Sequence, residues 1–484
     1  MKYLFLIVSL LFVTRTSAQN LTEGNVETAF KDAQTYPVWP RCATNASGDV
    51  LVLFGKFGES NLYQTIRSGG NFSTPSKLNA TGIDVNINEV YGPRITTGTN
   101  HVYIALAARK NKTSMIGLYH SGDGGHSYDS LRTIRISDFV GYPDVACSED
   151  GKYVHLAMME TDSISYRPKY VVLTSSDYGV TFTSRKVVSD TADDVCECCP
   201  PDLITRNSSV VLAYRNNNNN VRDIWFSQSI DNGNTFSAPA DIDPTNWVIF
   251  GCPDSGPSLL LSSDDSISAC WMSSENNQAM INLSTAHFQA GSVVQHRKLT
   301  PSTPNTTSQN FPVIAGDNHH KMVVWPENSQ GKTSTRMMYS HVGAEGLKEF
   351  KMKRLDDSTG LNSWGSGPMG PHVSFQNGTF HTVWYNRHTY EVLYKRFDVP
   401  NYSTAPGAET IDVAIYPNPA SSYLVVQNPH SGMFTVNDVS GQSVLDGKLS
   451  SDGYIDLKNL APGCYFLILE GETHQRGVTR FTVK

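Results

Sequence analysis

Cysteines give the sharpest chemical signal in the sequence. Cys196-Glu197-Cys198-Cys199 packs three sulfurs into four residues, and Cys252 follows in Gly251-Cys252-Pro253-Asp254. Brought together, Cys196, Cys198, Cys199 and Cys252 would make four soft ligands for Cu or Zn. Outside the cell a disulfide is the default, with Cys199–Cys252 and Cys198–Cys252 as the two pairings to weigh. A bridge between Cys196 and Cys198 would be strained. Cys42, Cys147 and Cys270 read as small buried residues of strands, and Cys464 belongs to the C-terminal tail.

A second set of residues is charged or hydroxylated and sits where strands begin or end. Arg41, Arg94, Asp144, Asp202, Ser258, Val313 and His372 each follow a proline. Tyr214, Arg215 and Tyr385 close apolar runs, as do Arg109, Glu160, Glu327 and Arg387. Guanidinium forks bind carboxylates, and paired acids handle protons at a sugar ring. Arg41, Arg94, Asp144, Asp202, Tyr214, Arg215, His372 and Tyr385 are therefore candidate site residues for an anionic sugar. The plain alternative is that charges at strand ends pair with one another, each exposed pair contributing little.

The elements that must position these residues repeat along the chain. Ser121-Gly-Asp123-Gly-Gly125-His-Ser127-Tyr128 recurs as Ser175-Ser-Asp177-Tyr-Gly179-Val-Thr181-Phe182 and as Ser229-Ile-Asp231-Asn-Gly233-Asn-Thr235-Phe236. A decayed copy runs from Thr65 to Phe72. The spacing is about 54 residues, and continuing it places strand ends near Thr285, Ser340 and Lys395. An apolar strand follows most of the proline positions: Val102–Ala107, Val154–Met158, Val210–Tyr214, Met322–Trp325 and Phe380–Trp384. Four short strands per period, seven times over, predict an all-β, seven-bladed β-propeller across residues 19–397.

Composition agrees and narrows the function. With 37 glycines, 24 prolines and only 17% charged residues, the chain suits short strands and tight turns. The net charge of −7 and the lack of a basic run argue against nucleic acid as a partner. Lys2, the apolar stretch Tyr3–Val13 and Thr16-Ser17-Ala18 predict a secretory signal peptide over 1–18. No later run is long and apolar enough for a transmembrane helix.

The repeated motif resembles the Asp box (BNR repeat) of sialidase-like propellers, over about three-quarters of the chain. That resemblance implies a structural role for Asp123, Asp177 and Asp231, each capping the turn between a blade's third and fourth strands. Sialidases use an arginine cluster for the substrate carboxylate, a tyrosine–glutamate nucleophile pair and an aspartate acid/base. Here the family's Arg-Ile-Pro is missing. Arg41 is followed by Cys42-Ala43 and Arg94 by Ile95-Thr96, and seven blades replace six, so those catalytic assignments are not transferred.

After residue 397 the pattern changes. Residues 398–412 read as a linker, and 413–484 as a small β-sandwich opening at Ile415-Tyr-Pro417-Asn418-Pro419. This module resembles the C-terminal sorting domain of the type IX secretion system of Bacteroidota. The resemblance implies the type IX machinery as a partner and a secreted or cell-surface location. The leading expectation is a propeller that binds, and could hydrolyse, extracellular glycans at the channel mouth. A non-enzymatic binding propeller is the alternative, as is a polysaccharide lyase using His372, Tyr385 and an arginine.

Overall fold

The computed structural model describes residues 21–136, 140–161, 166–190, 192–263, 266–275, 278–287, 292–299, 307–329, 332–343, 346–355, 368–400, 402, 414–427, 432–438, 443–471 and 476–484. The expected signal peptide, and all of the expected linker except 398–400 and 402, lie outside the described residues. Among those described, every regular element is a β-strand.

Among the described residues, those of 22–398 build seven antiparallel sheets of four or five strands. Their first strands touch in chain order: Pro37–Thr44, Arg94–Thr97, Val140–Cys147, Asp202–Arg206, Ser258–Ser263, Val313–Gly316 and Pro368–Gln376. The last of these touches the first, which closes the ring. The closure has a feature that the sequence reading left without a role. Thr22–Glu23 and Glu27–Lys31 pair with Glu391–Asp398, so the front of the chain completes the seventh sheet.

Each sheet lies between two others, so its second strand must be apolar on both faces. In the second sheet, Tyr103 and Ala105 pack with Val145 and Leu156 of the third sheet. Their neighbours Ile104 and Leu106 pack with Val38 and Leu53 of the first. In the fourth sheet, Val210, Leu212 and Tyr214 join the third sheet's core, while Val211 and Ala213 join the fifth's.

The three Asp boxes share one hydrogen-bond pattern. Asp177 Oδ1 accepts from Thr181 N at 2.9 Å and Oδ2 from Thr181 Oγ1 at 2.6 Å. Asp123 with Ser127, and Asp231 with Thr235, repeat it. Gly125, Gly179 and Gly233 all have positive φ. A Cβ on Gly233 would stand 2.4 Å from Thr174 Oγ1 of the preceding sheet, so only glycine fits there. The bonds from Thr181 and from Thr235 hold Asp177 and Asp231 near 2; at Asp123 burial pushes upward but its bonds from Ser127 outweigh it.

A carboxylate held below its unfolded value of 3.8 adds stability that is complete above that value and lost as pH falls toward 2. The triple variant Asp123→Asn, Asp177→Asn, Asp231→Asn is expected to be less stable than wild type at pH 7. Its urea midpoint should also change less between pH 4 and pH 2. Equal midpoints at pH 7 would contradict the capping role.

Residues 401–484 form a second compact unit. One sheet joins Ile415–Tyr416, Tyr423–Val426 and Tyr454–Asp456; the other joins Ser443–Leu449, Gly432–Asp438, Gly463–Gly471 and Arg476–Val483. Leu424, Val426 and Ile455 from the first meet Val436, Leu467 and Phe481 from the second in one core, the arrangement of a β-sandwich.

Candidate functional site at the centre of the ring

The residues after the prolines occupy one structural position. Arg41, Arg94, Asp144, Asp202, Ser258, Val313 and His372 lie opposite Leu53, Ala105, Ala157, Ala213, Cys270, Val324 and Val383 of their second strands. In three sheets the register breaks just before that position, between Val38 and Arg41, Gly141 and Asp144, and Met369 and His372. Beside those breaks Trp39, Tyr142 and Gly370, each preceding a proline, adopt positive φ, as does Phe311 before Pro312. Such a bulge re-aims the side chain that follows it.

Where this side chain can accept a hydrogen bond, it latches the next sheet. Asp144 Oδ2 accepts from Leu203 N at 2.9 Å, Asp202 Oδ2 from Leu259 N at 2.6 Å and Ser258 Oγ from Ile314 N at 3.2 Å. His372 Nδ1 accepts from Cys42 N at 3.3 Å. The donor is always the residue following the same position in the next sheet. These four residues thus join neighbouring sheets through backbone N–H groups, where the sequence led us to expect charges pairing with one another.

Arg41 and Arg94 stand where the latch lacks an acceptor. Arg94 Nη2 donates to Pro201 O at 3.1 Å, and its Nη1 lies 3.8 Å from Asp202 Oδ1. This reach from the second sheet to the fourth passes through the middle of the ring. The Arg41 guanidinium lies 3.4 Å from the Trp39 ring centroid and is buried. Arg41 Nε, Arg94 Nε and Tyr91 Oη are buried without a hydrogen-bond partner.

The electrostatics of the four charged residues are shared. Burial and the neighbouring Asp144 carboxylate push Asp202 up to about 7, with Arg94 pulling the other way. Burial also raises Asp144, again against Arg94. Burial thus favours the protonated form of both acids. Burial and the proximity of Arg94 weaken Arg41's hold on its proton. Burial, then Arg41 and Arg94, keep His372 neutral.

Three of the expected site residues lie apart from this cluster. Tyr214 is buried against the third sheet, its hydroxyl accepting from Asp190 N at 3.1 Å. Arg215 is fully buried and bonds the carbonyls of Ser255, Arg222 and Met272 at 3.1, 2.6 and 2.7 Å. It fastens the fourth sheet to the fifth and offers nothing to a ligand. Tyr385 is fully buried, stacks on Tyr36 at 6.4 Å and makes no hydrogen bond to His372. Of the other strand-end charges, Glu160 pairs with Arg135 and Arg185, Glu327 with Arg336 and Arg387 with Glu89, as the plain alternative expects.

Among the four clustered cysteines, Cys198 and Cys252 are joined in a disulfide, one of the two pairings weighed as the default. Cys196 and Cys199 remain buried thiols with Sγ atoms 3.0 Å apart. The hydrogen bond with Cys199 lowers Cys196 to about 6, assisted by Arg222 and Arg215 against the effect of burial.

Sequence reasoning missed one further feature. A cavity of about 640 Å³ is lined by Trp247, His296, Lys298, Asn282, Asn246 and Ser273, among others. It lies where the second and third strands of the fifth sheet meet, the side opposite the Asp boxes. Trp247 is placed by its backbone N–H donating to Asp223 Oδ1 at 2.8 Å and by Arg215, 5.3 Å from its ring. A lone tryptophan within 243–257, a segment of turn residues, was the only signal available.

Comparison with known proteins decides the identity of the tail. Residues 414–484 match the family described as the secretion system C-terminal sorting domain. The tail is a type IX sorting domain. It directs the chain to the cell surface or the extracellular space. In fold, the chain is similar to a protein of unknown function from Dyadobacter fermentans (11% identity, 78% of this chain and 99% of that one, TM-score 0.44). It is likewise similar to Trypanosoma rangeli sialidase in complex with sialic acid (10%, 96% and 89%, 0.41) and to phage phi92 endosialidase (10%, 95% and 87%, 0.41). No curated protein matches the chain. Among the described residues no helix is long and apolar enough to cross a membrane.

Removing residues 414–484 is expected to reduce surface and extracellular protein to background, with the remaining chain retained inside the outer membrane. Immunoblots of cell fractions check this. Undiminished extracellular protein would contradict it.

Proposed function

We propose that this exported propeller binds an extracellular glycan carrying an anionic sugar, at the mouth of the central channel. Arg41 and Arg94 take the sugar carboxylate, and the Asp144–Asp202 pair supplies a proton for hydrolysis. The observation that carries this reading is the convergence of two guanidiniums on two acids, with Arg41 Nε, Arg94 Nε and Tyr91 Oη left unbonded. Buried donors without partners cost free energy that a ligand oxygen would relieve. Burial and the Asp144 carboxylate push Asp202 upward, which favours the protonated form a general acid needs.

A second reading, binding without catalysis, draws on the cavity beside Trp247. An aromatic face flanked by amides and a lysine suits a sugar ring, and the latches give Asp144 and Asp202 work that needs no catalysis. The lyase reading has less support, because His372 Nδ1 is occupied by Cys42 N–H and Tyr385 does not reach it.

A panel of sialylated, uronate-bearing and neutral glycans tests the proposal with the full chain. Retention of anionic glycans with release of free sugar supports hydrolysis, and retention without product supports the binding propeller. An unsaturated, ultraviolet-absorbing product would indicate a lyase. Failure to retain any anionic glycan would overturn the reading.

A further inference from the structure

The sulfurs at 196–199 and 252 form a graded series from buried to exposed. Cys196 and Cys199 are both 0% exposed, Cys198 is half-buried and Cys252 is exposed. Cys196 Sγ lies 3.0 Å from Cys199 Sγ and 3.5 Å from Cys198 Sγ, which is already bonded to Cys252. A dithiol thus touches a disulfide whose far end reaches solvent. Arg222 Nη1 donates to Cys196 Sγ at 3.0 Å, which favours the thiolate at this sulfur over the others. Tyr170 Oη fixes the Cys199 carbonyl at 2.7 Å, and the Cys199 N–H donates to Cys196 O, so the pair is held in a tight turn.

We propose that these four cysteines are a thiol–disulfide exchange site, in which the buried Cys196–Cys199 dithiol passes two electrons through the Cys198–Cys252 bridge to an extracellular disulfide. The Cys196 thiolate attacks Cys198 Sγ, forming a Cys196–Cys198 bond. The Cys198–Cys252 bond breaks and its electron pair stays on Cys252. Cys199, having given up its proton, then attacks Cys196 Sγ, forming Cys196–Cys199 and releasing Cys198 as a thiolate. The two protons lost from Cys196 and Cys199 end on Cys198 and Cys252. Exposed Cys252 next attacks the external disulfide, releasing one thiol, and Cys198 resolves the mixed disulfide, releasing the second and restoring Cys198–Cys252. The strained Cys196–Cys198 bond is only a transient intermediate, consumed by the attack of Cys199.

The external disulfide would be that of a small molecule or an exposed peptide cystine, because Cys252 stands on the surface segment that also bears exposed Val248 and Phe250. Hydroxyethyl disulfide serves as the probe, with the full chain isolated without added reductant. Thiols are blocked with one alkylating label before reduction and a second label after it, and the peptides are mapped by mass. The isolated protein should carry free Cys196 and Cys199 and a Cys198–Cys252 bridge. After exposure to the probe, a Cys196–Cys199 bridge should form and two mercaptoethanol molecules be released per chain.

In Cys252→Ser the buried pair should be oxidised at least tenfold more slowly, since direct access is closed. Wild-type protein held without probe gives a second reading that needs no variant: a minor population bridged Cys196–Cys199 with Cys198 and Cys252 free. Oxidation of the buried pair at equal rates in wild type and Cys252→Ser would overturn the proposal. So would isolation of a protein already carrying both bridges, or a Cys196–Cys199 pair inert to the probe.

Discussion

Replacing Arg215 with alanine is expected to cost about 3–5 kcal/mol of stability, the largest single loss foreseen in the propeller. The side chain is fully buried and its guanidinium bonds the carbonyls of Ser255, Arg222 and Met272. Alanine would leave three acceptors desolvated without donors, at the junction of the fourth and fifth sheets. It would also remove the cation facing Asp223 and the Trp247 ring. Lysine should recover little, because one ammonium cannot span three diverging carbonyls as a planar fork does. Urea unfolding of wild type, Arg215→Ala and Arg215→Lys checks this. An Arg215→Ala midpoint equal to wild type would contradict this structural role.

Arg94→Ala should abolish most anionic glycan binding while leaving the fold intact. Arg94 is partly exposed at the channel and reaches Asp202 at 3.8 Å, so it is the arginine a ligand meets first. Losing a charge-assisted contact of this kind costs about 2–4 kcal/mol, or roughly 30- to 1000-fold in Kd. The pH dependence should change with it. Asp202 is raised to about 7 by burial and by Asp144, and Arg94 is what restrains it. In wild type any proton donation by Asp202 should therefore fade as pH rises above about 7, and in Arg94→Ala that limb should move to higher pH. Isothermal calorimetry and a pH series of sugar release provide both readings. Unchanged affinity in Arg94→Ala would exclude this arginine from the site.

Much of the fold could be read from residues whose chemistry leaves little choice. The Asp boxes need an acceptor, a left-handed glycine and a hydroxyl at fixed offsets, so their copies at 121–128, 175–182 and 229–236 mark the turns directly. The prolines mark the first strands because the bulge and its positive φ recur beside them. The fates of Tyr214 and Arg215 could not be read in this way. Val210–Asn216 is buried on both faces, so alternation does not separate a sheet junction from the channel. The latch had a visible trace, acceptors at Asp144, Asp202, Ser258 and His372 against none at Arg41, Arg94 and Val313, but its donors are backbone groups that composition does not reveal. The choice between Cys198 and Cys199 as the partner of Cys252 depended on which sulfur the turn at 196–199 faces outward, a matter of backbone geometry.

A crystal structure of the chain soaked with sialic acid or glucuronic acid addresses the proposed site most directly. The expected result is a sugar at the channel mouth, its carboxylate within hydrogen-bonding distance of Arg41 and Arg94 and its ring beside Asp202. A sugar bound only beside Trp247, or a channel mouth holding water alone at saturating sugar, would contradict it.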